Sequence, residues 1–248
     1  MPHNNALPLS GKIALVTGAS RGLGRATALA LAKSGAHVLA LARTTGGLEE
    51  LDDDIRAAGG TASLIPLDLA EPESVDQLGA ALGARFDRLD IIVANAAVLG
   101  ELAPIPDIDP KIWQAVLDIN LTANWRLIRS LDPLIRNAAA ARLAFVTSSV
   151  GGAKARAFWG AYAVSKAGLE MLAQTYAEEL RNATARVAII DPGAMQTGMR
   201  AEAMPGENPE TLPTAGSVVP LILEAVSEDY DGIAERLIAR DRRAAGEL

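Results

Sequence analysis

The sequence predicts an α/β fold: a doubly wound, mostly parallel sheet of six or seven strands with helices on both faces. Six short apolar runs alternate from end to end with segments of helical periodicity, the pattern that repeated βαβ units leave in a chain. The runs are apolar throughout, as strands covered on both faces are. A glycine-rich turn directly follows the first run, where such folds bind a ligand.

The strand candidates are "KIALVTG" (12–18), "HVLALA" (37–42), "ASLIPLD" (62–68), "LDIIVAN" (89–95), "RLAFVTS" (142–148) and "RVAIID" (186–191), with 232–239 as a possible seventh. Helical spacing places helices at about 22–34, 47–58, 72–84, 110–137, 160–182 and 215–228. The first ends at Ser34-Gly35, a glycine C-cap. Asp109-Pro110 opens the fourth as an N-cap followed by proline at the first helical position, and Pro133 inside it predicts a kink or break. From Pro192 to about Thr214 the pattern lapses into Gly, Pro and Met. So long a loop is either functional or evidence against the assignment; because it follows the C-terminal end of a strand, it is expected to be a substrate lid at about 194–214.

Half of the 248 residues are hydrophobic, enough for one α/β domain, and no linker divides residues 1–248. Lys plus Arg number 23 against 30 Asp plus Glu, a net charge of −7 without a basic run, so neither nucleic acid nor an anionic membrane is an expected partner. The absence of cysteine excludes a disulfide scaffold, a thiol nucleophile and a cysteine zinc site. His3 and His37 are the only histidines and have no second candidate ligand nearby in sequence, so no metal site and no Ser-His-Asp triad is expected. With no apolar segment of roughly 18 residues and no apolar leader after the first residues, the expectation is a soluble, cytoplasmic protein.

In "TGASRGLG" (17–24), Gly18, Gly22 and Gly24 allow a tight turn and close backbone approach, so that helix N–H groups face a phosphate. A glycine turn alone is weak evidence; its place on the first strand-to-helix turn strengthens it. About 20 residues further on, an acidic residue suits the ribose 2′-hydroxyl of NAD and an arginine the 2′-phosphate of NADP. The second strand ends in Arg43-Thr44, and Arg21 adds a second positive group, so NADP(H) is the expected cofactor and NAD the lesser one.

With these glycines, Tyr162 and Lys166 in hand, the sequence resembles the short-chain dehydrogenase/reductase family in its form of about 250 residues, over roughly residues 10–230. The resemblance implies a Rossmann-like NAD(P)-binding domain. It makes Gly18, Ser20, Arg21, Gly22, Leu23 and Gly24 the cofactor turn, and it puts Asp68 and Leu69 of "PLDLAEP" at the adenine. "VANAAV" is similar to the family's N-A-G segment, with Asn95 and Ala96 kept and Ala97 where glycine is usual. "DPGAMQT" supplies Pro192, Gly193, Met195 and Thr197 as nicotinamide contacts, and Arg43, Tyr162 and Lys166 complete the cofactor set. The implied catalytic residues are Asn120, Ser149, Tyr162 and Lys166; of Ser148 and Ser149, the family's gap of thirteen residues before the tyrosine selects Ser149.

A free tyrosine, with a pKa of about 10, is poorly matched to acid–base work at neutral pH, and an ammonium one helical turn away is expected to lower that pKa. Tyr162 is then the acid in carbonyl reduction and the base in alcohol oxidation, while Ser149 hydrogen-bonds the substrate oxygen. By resemblance, Lys166 holds the nicotinamide ribose, and Asn120 bends its helix and holds a water linking the lysine to solvent. Leu99, Phe158, Trp159, Met195, Met199 and Met204 are candidates for an apolar substrate wall, so the expected substrate is a small or medium apolar-tailed carbonyl or alcohol. Trp113 and Trp125 suggest packing or a dimer surface, and the resemblance implies a homodimer or homotetramer, although the charged tail departs from the family's usual tetramer-forming end. The competing expectation is a non-catalytic NADP(H) sensor, against which Ser149, Tyr162 and Lys166 argue. An epimerase or dehydratase on a related fold fits the glycine spacing poorly.

Overall fold

The computed structural model describes residues 7–152 and 154–248, so His3 lies outside the described residues. In chain order the elements are β1 (Ile13–Thr17), α1 (Gly22–Lys33), β2 (His37–Ala42), α2 (Thr45–Ala57), β3 (Thr61–Pro66), α3 (Pro72–Gly83), β4 (Ile91–Ala94), α4 (Pro110–Leu117), α5 (Ala123–Asn137) and β5 (Arg142–Val146). They continue with a distorted single turn α6 (Ser149–Gly152), then α7 (Gly160–Glu179), β6 (Arg186–Asp191), α8 (Gly198–Ala203), α9 (Val219–Ala225), β7 (Ile233–Ile238) and α10 (Ala239–Ala244).

All seven strands join one parallel sheet in the order β3-β2-β1-β4-β5-β6-β7. The candidate at 232–239 is thus the edge strand β7. β1 pairs with β2 on one side and β4 on the other, so the chain's winding reverses beside its C-terminal end and opens a crevice there. The pleat sends alternate residues to opposite faces. Ala14 and Val16 join a core with Leu31, Ile55 and Leu221, from α1, α2 and α9. Leu15 joins the opposite core with Leu78, Leu131 and Leu169, from α3, α5 and α7. Each such large side chain contributes about 1.5–3 kcal/mol by leaving water.

Asp109 Oδ1 accepts from the Lys111 amide at 2.7 Å, the expected N-cap of α4. Pro133 does not break its helix: α5 runs on to Asn137, because Pro133 and Arg129 are both exposed and the carbonyl that loses its partner can face water. The irregularity falls instead at Asp118–Thr122, a π turn joining α4 to α5. The segment expected as a lid is partly ordered structure. It contains α8, capped by Thr197 Oγ1 accepting from the Arg200 amide at 3.2 Å, and its base is closed where the Gln196 amide donates to the Pro213 carbonyl at 2.9 Å. His37 bridges β2 to β3 through Thr61 Oγ1 (2.8 Å) and Ser63 Oγ (3.0 Å), a structural role. Among the described residues no helix is long and apolar enough to cross a membrane.

Candidate active site

The glycine turn is shaped by close packing. Gly18 adopts φ +67°, which favours glycine, and a β-carbon on Gly24 would fall 2.3 Å from the Gly18 carbonyl oxygen and 2.5 Å from Asn95 Nδ2. Asn95 donates through Nδ2 to the Thr17 carbonyl at 2.9 Å, and the amides of Asn95 and Ala96 donate to Thr17 Oγ1 at 3.0 and 2.9 Å. These bonds tie the ends of β1 and β4 together and hold the turn open towards the crevice. Gly24 therefore acts from behind the cavity surface, whereas Gly18, Ser20, Arg21, Gly22 and Leu23 lie on it.

That cavity, of about 520 Å³, runs from Arg43 and Thr44 past Asp68, Leu69, Asn95 and Ala96 to Tyr162, Lys166, Pro192, Met195 and Thr197. Arg43 Nη1 stands 3.8 Å from Asp68 Oδ2, and the Arg43 side chain is largely exposed, so its guanidinium keeps donors free for an anion. Gly193 lies instead on a second cavity of about 550 Å³. A hollow with a glycine floor, a helix N-terminus and Arg43 at the far end matches the donor set a dinucleotide needs.

Tyr162 and Lys166 project from one face of α7, as the four-residue spacing predicts, and Lys166 Nζ lies 5.8 Å from the Tyr162 ring centroid. The electrostatics differ from expectation. Burial pushes the Tyr162 phenol up to about 12, with Asp191 adding to the rise; the hydroxyl opposing it is that of Ser148. Trp159 meets the ring edge-on at 5.7 Å, and Leu99, Val150 and Ala203 complete an apolar surround, so desolvation of a phenolate dominates. Lys166 is fully buried, donates to the Val146 carbonyl at 2.8 Å, and is brought down to about 8 by desolvation, which Glu170 partly opposes.

The gap count selects Ser149; both Ser148 and Ser149 line the second cavity with Tyr162, and the hydroxyl that opposes the rise of the Tyr162 pKa is that of Ser148. That count runs through a loop whose backbone turns at Gly151 (φ 105°) and Phe158 (φ 73°), so spacing along it does not determine which serine reaches the tyrosine. Ser149 stays on the wall of the second cavity, and its carbonyl accepts from the Lys154 amide at 2.9 Å. Phe158, expected in the apolar wall, is instead 57% exposed and lines neither cavity. Trp159, Leu99, Met195 and Met199 do line the second cavity.

Asn120 is completely buried and also lines neither cavity. Its Oδ1 accepts from the Val98 amide at 2.8 Å, and its Nδ2 donates to the Val98 carbonyl at 2.9 Å and to Ser165 Oγ at 3.0 Å. Ser165 in turn donates to the Tyr162 carbonyl at 2.8 Å, so Asn120 fixes the turn of α7 that carries the tyrosine.

Residues 12–208, most of the chain and the whole lining of the first cavity, match the family model described as short chain dehydrogenase. The chain belongs to the short-chain dehydrogenase family. It is 37% identical over 224 residues to the uncharacterized oxidoreductase YciK of Escherichia coli K12, covering 89% of this chain and 88% of that one. A short chain dehydrogenase from Salmonella enterica serovar Typhi superposes with a TM-score of 0.91 at 37% identity, covering 96% of this chain and 99% of that one. A putative short chain dehydrogenase from Escherichia coli CFT073, solved as a complex with NADPH, gives a TM-score of 0.90 at 36% identity over 95% and 99% of the two chains.

This short-chain dehydrogenase also carries a charged cluster that the sequence alone does not reveal. Arg236 of β7 donates through Nη1 to both carboxylate oxygens of Glu170 at 2.9 Å, and through Nη2 to Asp191 Oδ2 and to the Ser148 carbonyl, each at 3.0 Å. Thr147 Oγ1 donates to Glu170 Oε1 at 2.6 Å. Arg236 thus holds the backbone of Ser148, while Glu170, one turn beyond Lys166 on α7, is the carboxylate that favours the charged ammonium. The repeated spacing of Tyr162, Lys166 and Glu170 was a signal available in the sequence; nothing local marked Arg236.

Proposed function

We propose that this chain interconverts a carbonyl and an alcohol by hydride transfer with NADP(H), with Tyr162 as the general acid in reduction and the base in oxidation. One observation carries the proposal: Tyr162 lies on the wall that the two cavities share, together with Thr147, Pro192, Met195, Thr197 and Met199. The first cavity suits a dinucleotide, and the second is of ordinary size for a small ligand. A group on their common wall can meet both.

When bound, the reduced nicotinamide supplies the hydride. Tyr162, with its pKa held near 12, stays protonated at neutral pH and has a proton to give to the substrate oxygen as negative charge develops there. Ser148 offers that oxygen a second hydrogen bond, which stabilises charge only where it forms. Lys166 keeps a buried positive charge beside the phenol, anchored on the Val146 carbonyl, and Asn120 positions the helix through Ser165. Arg43, on the rim of the first cavity, supports NADP(H) over NAD because a guanidinium suits a 2′-phosphate. Exposed Trp125 on α5 and Val164 and Met171 on α7 support a homo-oligomer formed through those helices.

Tyr162→Phe tests the assignment. Carbonyl-dependent NADPH oxidation should fall by on the order of 10²–10⁴-fold, while NADPH binding followed by fluorescence stays within about twofold. Undiminished turnover in the variant excludes Tyr162 as the acid.

A further inference from the structure

We infer that the substrate carries an anionic oxygen group, a carboxylate or a phosphate, which Arg243 and Arg156 bind on the wall of the second cavity. This rests on the proposed carbonyl chemistry and names the class of molecule on which it acts.

Four arginines line that cavity, Arg156, Arg200, Arg240 and Arg243, in a protein whose net charge is −7. Two are already matched. Arg200 makes a two-point ion pair with Glu207 at 2.5 and 2.6 Å, and Arg240 pairs with Asp241 at 3.2 Å. Asp191, the carboxylate on the same wall, is taken by Arg236. Among the described residues no carboxylate forms an ion pair with Arg156 or Arg243; Glu207, the acid whose charge Arg156 feels, is bonded to Arg200.

Arg243 is the more telling of the two. Its Nη1 is shut off from solvent and has no hydrogen-bond partner among the described residues. Arg126 and Arg236 also leave a buried Nε unpaired, but each is engaged through its other nitrogens, Arg126 with Asp76 and Arg236 with Glu170 and Asp191. Arg243 donates no side-chain hydrogen bond to any described residue. Its Nη2 lies 3.4 Å from where a β-carbon on Gly193 would stand, so the guanidinium rests on the backbone that follows β6 and Pro192. A donor withdrawn from water without a partner is unfavourable, and because only Nη1 is shut off from solvent, the other guanidinium nitrogens, which also bond to no described residue, are those an anion in the cavity would meet. The planar fork of a guanidinium suits the paired oxygens of a carboxylate or phosphate.

Arg156 completes the arrangement from the loop before α7. Its guanidinium stacks 5.2 Å over the Trp159 ring and reaches Met204 Sδ at 3.6 Å. These contacts hold the cation against the cavity wall without neutralising it. Leu99, Met195, Met199 and Leu212 give the wall an apolar stretch, beside the hydroxyls of Thr147, Ser148, Ser149 and Thr197. The pocket therefore fits a molecule with a carbonyl at Tyr162, an apolar body and an anionic end. The cofactor's phosphates do not account for these arginines, because Arg21 and Arg43 line the first cavity and Arg156 and Arg243 do not.

The test compares matched carbonyl pairs with NADPH: levulinate and phenylglyoxylate against their methyl esters, and dihydroxyacetone phosphate against dihydroxyacetone. In the unmodified protein the anionic member of at least one pair should have a kcat/KM on the order of tenfold higher, and the favoured pair tells carboxylate from phosphate. Arg243→Met should collapse that ratio through KM, and Arg243→Lys should restore part of it. Equal kcat/KM for acid and ester, or an equal loss on both in Arg243→Met, overturns the inference. If no carbonyl is reduced, the carbonyl reading fails, and a separate readout still decides the anion site. Levulinate or inorganic phosphate should raise the Tm of the NADPH-bound protein and should do so less in Arg243→Met; equal shifts overturn the inference.

Discussion

The two ends of the crevice are built by different means. At the glycine turn the walls are backbone: Gly24 presses on Gly18, Asn95 bonds the end of β1, and every part comes from the C-terminal ends of β1 and β4, the turn after β1 or the first turn of α1. Around Tyr162 the walls are side chains from the segment after β5, from α7, β6, the 192–214 segment and α10, with the Ser148 backbone held by Arg236. One end depends on the absence of side chains and the other on charges brought from distant parts of the chain. The first is therefore vulnerable to added atoms and the second to removed ones.

The largest effect expected from breaking this contrast is at Arg236. Arg236→Met leaves Glu170 and Asp191 buried without their cation, which should cost about 3–5 kcal/mol of stability in chemical denaturation. It should also lower kcat, because the Ser148 carbonyl loses its donor, and Arg236→Lys should recover stability before it recovers kcat. At the glycine end, Gly24→Ala should cost about 1–3 kcal/mol through overpacking, read as a lower Tm, and should weaken NADPH binding more than it weakens substrate binding. A Tm unchanged in Gly24→Ala would show that the turn relaxes freely.

Smaller effects sharpen the comparison. Arg43→Ala should raise the KM for NADPH on the order of tenfold, the loss of a charge-assisted bond of about 1.5–3 kcal/mol offset in part by solvent, and leave the KM for NADH nearly unchanged. Equal changes for the two nucleotides would exclude Arg43 as the 2′-phosphate ligand. The mildest effect concerns pH. Lys166 is lowered to about 8, so it is charged below that pH and loses its proton above it, while Tyr162, near 12, stays protonated. Reductive kcat/KM should thus decline as pH rises through about 8. Glu170 raises the Lys166 pKa, so Glu170→Gln should move that decline to lower pH; a limb that stays in place would mean another group sets it.

The same contrast explains what could be read from the chain alone. The glycine turn was legible because its parts lie within eight consecutive residues and close packing requires glycine there. Tyr162 and Lys166 were legible because one helical turn brings them together. The choice between Ser148 and Ser149 was not, since it depends on how a loop with two left-handed residues coils. The depression expected of the Tyr162 pKa failed because the apolar surround, assembled from Leu99, Val150 and Ala203, outweighs what spacing alone suggests. Arg236 meets Glu170 from 66 residues away, and the charged tail that looked only like a departure at a subunit contact puts Arg243 on the second cavity. Contacts of that range leave no periodic trace in a sequence.

The contact between Gly24 and Gly18 also bears on binding thermodynamics. A turn packed so closely, with both strand ends fastened by Thr17 and Asn95, leaves its backbone little room to rearrange. A nucleotide bound there would meet a surface largely preformed, and the entropy lost on association would belong mainly to the ligand and its water rather than to the chain. Selectivity at that end is then a matter of what fits a fixed mould, whereas at the arginine end it is a matter of which charge arrives.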